Sequence, residues 1–105
     1  MKTNTTPLSI VGHIVEIESA IQGENWIKQN FTIRTLGDYP KLVHFTTFNT
    51  AQDQLSRCRI DDEVTVNFNP ESKLFEKENT RRFFTELIAW KVSVNFKKDM
   101  SNGSK

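Results

Sequence analysis

The sequence lacks the features that would stabilise a disulfide-bonded or membrane-embedded protein. Its one cysteine, Cys58, can neither form a disulfide within the chain nor supply a thiolate set for a metal. No apolar run approaches the about 20 residues of a membrane-spanning helix. The formal net charge is only +1, which argues against binding of polyanions through bulk charge. Any contact with nucleic acid must therefore come from local groups of lysine and arginine, and Cys58 is expected to pack as a small hydrophobic residue.

Motifs of catalysis and targeting are lacking as well. The chain has no glycine-rich phosphate loop, no nucleophile elbow and no His-Glu-x-x-His zinc motif. Neither His13 nor His44 has a cysteine or carboxylate at metal-ligand spacing. Residues 1–10 contain one lysine but no apolar segment and no small-residue cleavage site, so a signal peptide is not expected. These absences predict a cytoplasmic protein that is not an enzyme and has no cofactor, no metal and no membrane partner.

Length and polarity predict one domain between two tails. A chain of 105 residues has room for one hydrophobic core and little for a second module. Residues 1–7 and 97–105 are polar and show no period, so they are predicted to be flexible tails. The domain is therefore expected to span residues 8–96.

Side chains that alternate with period two predict five strands in that domain. Gly12, inside the first strand, suggests a bulge or a sharp coil that lets one strand serve two sheets. A long polar hairpin loop is expected at 69–82, before the last strand. The five predicted strands are 8–18, 26–35, 41–48, 63–68 and 83–94.

The alternation also predicts which aromatic residues are buried. Phe31, Phe45 and Phe68 fall on the inward register of their strands and are expected in the core. The fifth strand is ambiguous, because either of its faces could be inside. One face carries Phe83, Thr85, Leu87 and Ala89, and the other carries Phe84, Glu86, Ile88 and Trp90.

After Phe48 the period changes to that of a short helix. Thr50 and Asp53 fit a capping box, and Ala51, Leu55 and Cys58 recur at helical spacing, which predicts a helix over 50–58. The resulting order, β-β-β-α-β-β, predicts an all-β fold with one short helix, the five-stranded Greek-key barrel called the OB fold. A small β-sandwich or an SH3-like barrel is the alternative, but the helix after the third strand and the glycine in the first favour the OB fold.

Several segments resemble the bacterial single-stranded DNA-binding protein family in order and spacing. They are LSIVGHIVEI, FTIRT, VHFTTFNTAQDQLSRCRIDDEVTVNF and RRFFTELIAWKV. The likeness extends to a small, poorly characterised OB-fold family with a similar W-x-K-Q-x-F second strand and A-W-K-V fifth strand, which here begin at Trp26 and Ala89. The resemblance covers about residues 8–94.

The resemblance implies that an aromatic residue at the end of the third strand and another in the hairpin loop stack on bases. Phe48 and Phe75 match these two positions. It also implies a homo-oligomer, a dimer or a tetramer. The family's aromatic-rich entry to the third strand is not reproduced, since Lys41, Leu42 and Val43 stand there. The family's acidic tail with an apolar tip is not matched by the ending SNGSK, so a role as a recruiting hub is not supported.

Exposed aromatic rings on a sheet can stack on any base, and neighbouring cations neutralise the phosphates. Two of the aromatic residues have alternative roles, because Phe75 could anchor the loop and Trp26 could cap the barrel or lie between subunits. His44 lies on the same face, where an ordinary surface histidine is the alternative. The candidate nucleic-acid-binding residues are Trp26, Lys28, Arg34, His44, Phe48, Lys73, Phe75, Lys77, Arg81 and Arg82.

The predicted function is sequence-tolerant binding of single-stranded DNA in replication, recombination or repair. Two alternatives stay open. The same face could bind a partner protein, which the low net charge favours, or it could bind RNA or an oligosaccharide, since OB folds accept several ligands.

Overall fold

The computed structural model describes residues 8–97 of the chain; the predicted N-terminal tail and residues 98–105 of the predicted C-terminal tail lie outside that range. The described part is mostly β with one short helix. Its elements are β1 (Leu8–Ile17), β2 (Ile21–Gln22), β3 (Ile27–Thr35), β4 (Leu42–Phe48), α1 (Asn49–Leu55), β5 (Glu63–Lys77) and β6 (Thr80–Phe96). None of the helical structure in residues 8–97 is long and apolar enough to cross a membrane.

Five long strands form a ring. Their order is β1-β5-β6-β4-β3, and β3 pairs back to β1, while the two-residue β2 extends the edge of β3. All of these pairings are antiparallel except that of β4 with β6, which is parallel and consists of Thr46↔Ile88 and Thr47↔Ala89. With the helix between β4 and β5, this arrangement confirms the predicted fold class and strand order.

Strand β1 serves two neighbours, as its glycine suggested. Its first half pairs with β5 and its second half with β3, and residues Gly12 and His13 pair with both. A Cβ atom at Gly12 would lie 2.5 Å from the carbonyl oxygen of Arg34, so only glycine allows β3 to approach this closely. The irregularity itself lies between Ile14 and Glu16, a few residues after the predicted point.

Three phenylalanines form the centre of the core, as predicted. The Phe31 and Phe45 rings are stacked with centroids 5.3 Å apart, and Phe45 meets Phe68 at 5.2 Å. Phe31 and Phe45 are fully buried, and Phe68 packs against the buried cluster. Leu55 and Cys58, from the helix and the turn after it, close one end of the ring. Burial raises the pKa of the Cys58 thiol, and the nearby Asp62 carboxylate adds to that shift.

The helix differs from its prediction at both ends. It runs from Asn49 to Leu55, and its N-terminus has no side-chain cap, so the predicted capping box of Thr50 and Asp53 does not form. Asp53 instead accepts a hydrogen bond from Arg57, one turn further on. Cys58 is buried as predicted, although it lies after the helix and not within it.

The prediction of a long hairpin loop at 69–82 is wrong. Strands β5 and β6 stay paired as far as Lys77↔Thr80, and only residues 78–79 form the turn. We call residues 69–86, which project from the ring, the arm. Residues 69–85 are all exposed, so neither face of that stretch has the alternating hydrophobicity that marks a strand packed on a core. The polar sequence was therefore mistaken for a loop.

A bulge in β6 explains why its buried face was ambiguous. Asn67 pairs with Lys91, whereas Phe68 pairs with Ala89, so Trp90 is an extra residue with no partner across the ladder. As a result Ala89 and Val92, which a regular strand would place on opposite faces, are both buried. Trp90 itself is exposed.

An ion pair fixes the end of β6 to the turn before β5. The Asp62 carboxylate is almost fully buried and accepts hydrogen bonds from the Arg59 backbone N–H at 2.9 Å and from Lys97 Nζ at 3.1 Å. Lys97 Nζ also donates to the Arg57 carbonyl oxygen. The last described residue is thereby linked to the segment that follows the helix.

Candidate nucleic-acid interface

The outer face of β3 and β4 carries most of the candidate residues from these two strands. Phe31, Ile33 and Phe45 point into the core, so the residues between them point outward. Register pairs these outward residues across the two strands: Lys28↔Phe48, Asn30↔Thr46, Thr32↔His44 and Arg34↔Leu42.

The same face continues onto the arm. Thr46 lies beside Ile88 in the parallel ladder, and residues at two-residue steps from Ile88 along β6 share its face. These are Glu86, Phe84 and Arg82, whose partners across the hairpin are Glu71, Lys73 and Phe75. We call this continuous surface the outer face. It brings together eight of the ten candidate residues: Lys28, Arg34, His44, Phe48, Lys73, Phe75, Lys77 and Arg82.

Phe75 is the most exposed of the candidate aromatic residues. Its side chain is 55% exposed, and its ring meets the edge of Phe84 with centroids 5.8 Å apart and planes at 84°. Phe84 is 56% exposed and was not among the candidates. The alternation in the fifth strand placed it with Glu86 and Ile88, but the face to which that group belongs was undecided. The two rings together form an aromatic platform, with Lys73 and Arg82 as their cross-strand neighbours.

Arg81 lies on the opposite side of the arm from Phe75. Its guanidinium pairs with Glu76 at 3.3 Å and lies over the Phe83 ring at 5.9 Å. Leu74 pairs with Phe83 on this side, and the hydroxyls of Ser72 and Thr85 are 2.9 Å apart. The structure therefore does not bring Arg81 together with the other basic candidates.

Trp26 precedes β3 and closes the turn from β2. The Gly23 N–H donates to the Trp26 carbonyl oxygen at 2.8 Å. The indole lies directly over Gly23, because a Cβ atom there would be 2.2 Å from Trp26 Cε2. Trp26 thus supports a turn with one part of its ring and remains 44% exposed.

Phe48 is the last residue of the outward row of β4, and His44 lies four residues before it in the same row. Phe48 is 39% exposed and directly precedes the helix. His44 Nε2 lies 3.6 Å from Glu18 Oε2, and Glu18 Oε1 accepts a hydrogen bond from Asn30 Nδ2 at 3.5 Å. Glu18, which no sequence pattern singled out, therefore orients two residues of the outer face from the end of β1.

A cavity of about 330 Å³ opens between the outer row of β3 and β4 and the base of the arm. It lies where the short parallel ladder of β4 and β6 ends, so the two strands separate beside it. The residues that line it are Lys28, Asn30, His44, Thr46, Thr85, Glu86 and Leu87.

The charge on the outer face is locally positive although the chain is nearly neutral. Its five cationic side chains, Lys28, Arg34, Lys73, Lys77 and Arg82, outnumber its carboxylates, which are Glu71 and Glu86 at the base of the arm and Glu18 beside His44. Among residues 8–97 no group of three or more histidine, cysteine or acidic side chains is placed to hold a metal ion. Chemically, the face offers aromatic surfaces and cations along one extended track.

Solved structures share this fold. One is the mitochondrial single-stranded DNA-binding protein Rim1 from S. cerevisiae, with a TM-score of 0.69 at 19% identity over 91% of this chain and 100% of that chain. Another is the SSB domain of a protein from Synechococcus sp., with a TM-score of 0.62 at 16% identity over 89% and 99%. A third is the second single-stranded DNA-binding protein from Mycobacterium smegmatis, at 0.62 and 17% over 86% and 88%. At such identities the likeness shows the fold, which is the OB fold.

The sequence also matches a family model. Residues 9–93 match the family described as Domain of unknown function (DUF3127), whereas no curated protein matches the sequence. The match includes β1 to β5, the helix, the whole arm and most of β6. The chain is therefore a member of the DUF3127 family with an OB fold.

Proposed function

We propose that this chain binds single-stranded DNA along its outer face, without catalysis. The observation that carries the proposal is the platform of Phe75 and Phe84, two exposed rings in contact on the arm with Lys73 and Arg82 beside them. Single strands expose the faces of their bases, and each base stacked on an aromatic ring contributes about 1–3 kcal/mol. The single-stranded DNA-binding proteins from S. cerevisiae mitochondria and M. smegmatis, which share this fold, support the same ligand.

The track runs from the arm to the end of β4. Phe75 and Phe84 stack on bases near the arm, Phe48 stacks on a base near the helix, and Trp26 extends the row beyond β3. Lys28 and Arg34 on β3 contact phosphates, as do Lys73, Lys77 and Arg82 on the arm. Stacking and phosphate contacts carry little base information, so binding along the track is largely tolerant of sequence.

A titration of labelled oligo-dT of about 16 nucleotides, followed by fluorescence anisotropy, tests this proposal. Affinity should fall with salt between about 50 and 200 mM, with a logarithmic slope near −3.5 if all five cations contact phosphate. Phe75→Ala should weaken binding about fivefold or more, because it removes one stacking contact. The matched control is Phe83→Ala, which removes an exposed ring from the opposite side of the arm and should leave affinity unchanged.

Failure to bind at low salt with high-micromolar protein would refute the proposal and direct attention to a protein partner. Equal losses for Phe75→Ala and Phe83→Ala would contradict the assignment to the outer face. Competition with RNA of the same length decides between DNA and RNA, which remains the alternative ligand.

We also propose that the chain self-associates as a dimer or tetramer, because one small domain covers only a short stretch of DNA. Light scattering at increasing protein concentration should give a mass above that of one chain. A monomer at every concentration would refute the proposed self-association.

Roles in replication, recombination or repair follow from protection of exposed strands, and complementation of a strain deficient in its single-stranded DNA-binding protein tests them.

A further inference from the structure

The cavity on the outer face has a composition that stacking and phosphate binding do not explain. At about 330 Å³ it falls in the lower part of the range of small-ligand pockets. It opens where β4 and β6 separate below Thr46↔Ile88, so a base that leaves the track can enter between the two strands. Its walls are mostly polar, whereas a pocket that only held a stacked base would be lined by rings.

The wall of the cavity presents a hydrogen-bond acceptor that has no partner of its own. Glu86 contributes a carboxylate that makes no hydrogen bond or ion pair with any other residue in the described range. The side-chain oxygen of Asn30, a residue that also lines the cavity, has no hydrogen-bond partner there, but this oxygen is buried and is not open to a ligand. Lys28 supplies one strong donor at the same cavity. Glu18 contacts both Asn30 and His44 and so holds the floor in place.

At its position the carboxylate of Glu86 should destabilise the sheet and weaken the binding of phosphate. It is directly opposite Glu71 in the ladder, and like charges in that arrangement destabilise a sheet. It also lies among the five cations that are proposed to attract phosphate, and it would repel the DNA backbone. A carboxylate at this point lowers affinity for any strand unless a base offers N–H donors to it.

Among the four bases, guanine fits this set of groups. Its pairing edge presents the N1–H and one N2–H side by side, so that one carboxylate can accept both hydrogen bonds, and the adjacent O6 accepts from an ammonium group. Thymine has one N–H between two carbonyl oxygens. Cytosine and adenine have an amine next to a ring nitrogen that is an acceptor. Each of these three would therefore place an acceptor against the carboxylate.

We propose that the cavity is a guanine-selective subsite, in which Glu86 accepts from N1–H and N2–H and Lys28 donates to O6. The subsite adds one base-specific position to an otherwise sequence-tolerant track, and it rests on the proposed binding of single-stranded DNA. A strand that contains guanine is then bound more tightly than oligo-dT of the same length.

The test uses oligo-dT of about 12 nucleotides and the same strand with one central dT replaced by dG or by deoxyinosine, which lacks the N2 amine. Wild type should bind the dG strand about tenfold more tightly than oligo-dT, the size of one bidentate base contact. The deoxyinosine strand should lose most of that gain. Glu86→Gln should abolish the preference for dG and bind oligo-dT at least as tightly as wild type, since it removes a repulsive charge.

Glu71→Gln is the matched control, because it removes the same charge from the residue directly opposite Glu86 but lies outside the cavity lining. It should keep the tenfold preference. Tight, salt-dependent binding of oligo-dT with no preference for dG would overturn the subsite and leave the proposed function standing. Loss of the preference in both variants would overturn the assignment to Glu86. Absence of binding to all three strands would overturn the proposed function and the subsite together.

Discussion

The arm continues two of the five strands of the ring, yet the two regions use phenylalanine in opposite ways. In the ring, Phe31 and Phe45 are fully buried. In the arm, Phe75, Phe83 and Phe84 are each more than half exposed. The difference comes from what lies behind the strands, because the ring encloses its inner face while the arm leaves both faces in solvent. A phenylalanine in the ring therefore stabilises the fold, and one in the arm is available to a ligand.

The arm remains extended without a core through contacts between its two strands. Side-chain pairs across a ladder each contribute roughly 0.2–1 kcal/mol. The outer face supplies the contact of Phe75 with Phe84, and the opposite face supplies the Glu76–Arg81 ion pair and the Ser72–Thr85 hydroxyl contact. These interactions hold the aromatic side chains of the arm in place and involve no residue of the core, so the arm and the five-stranded ring should respond independently to substitution.

The largest expected effect is on the stability of the ring. Phe45→Ala should lower the free energy of unfolding by about 3–5 kcal/mol, because it removes a buried aromatic side chain that contacts both Phe31 and Phe68. Urea denaturation followed by circular dichroism measures the change. The same substitution in the arm, Phe83→Ala, should change it by less than about 0.5 kcal/mol. Similar losses for the two variants would show that the arm is part of the cooperative core.

Shortening the arm should separate binding from folding. Residues 72–85 can be replaced by Asn-Gly, because Glu71↔Glu86 then flanks a two-residue turn as Lys77↔Thr80 does in the native chain. Loss of the two aromatic side chains alone should weaken oligo-dT binding about 100-fold, or about 2.8 kcal/mol, and loss of the three outer-face cations of the arm should add to this effect. The thermal midpoint of the ring should stay within a few degrees of wild type. A shortened chain that binds as tightly as wild type would place the interface elsewhere.

A smaller effect is expected at the ion pair that anchors the end of β6. Lys97→Met removes one partner of the buried Asp62 carboxylate and should lower the free energy of unfolding by about 1–2 kcal/mol, a value reduced because Lys97 is half exposed. Lys91→Met, a change of the same kind on the exposed face of β6, is the control. DNA affinity should not change in Lys97→Met, since the pair lies outside the outer face. Equal stability of the two variants would mean that the pair contributes nothing.

The smallest effect is the pH dependence from Cys58. Its folded pKa is raised, chiefly by burial, so above the unfolded pKa of the thiol the native state holds a proton that the unfolded state has released. The free energy of unfolding should therefore decline as pH rises from about 8 towards 9.5. Urea midpoints for wild type and Cys58→Ala across this range should show a steeper decline in wild type. Parallel declines would assign the effect to other groups.

Sequence patterns predicted the ring well because burial leaves a periodic signal. Val64 and Val66 in β5, like Phe31 and Ile33 in β3, alternate with polar residues, and all four are buried. The same logic failed for the arm, where both faces are exposed and no alternation in hydrophobicity is required. Phe75 became a candidate because an aromatic residue in a polar segment is unusual, whereas Phe84 did not, because it stands next to Phe83 in a strand that was expected to be half buried.

The sequence by itself determined the fold class, the strand order and the three core phenylalanines, because each depends on the local period of hydrophobic residues. Tertiary structure alone decided which face of β6 is buried, since the extra residue Trp90 shifts the alternation halfway along the strand. It also decided that Phe84 and Arg82 face the same way as Phe75, that Arg81 does not, and that Glu86 and Lys28 meet at one cavity. These relations depend on the register between strands, which backbone hydrogen bonds and bulges set and which no single strand encodes.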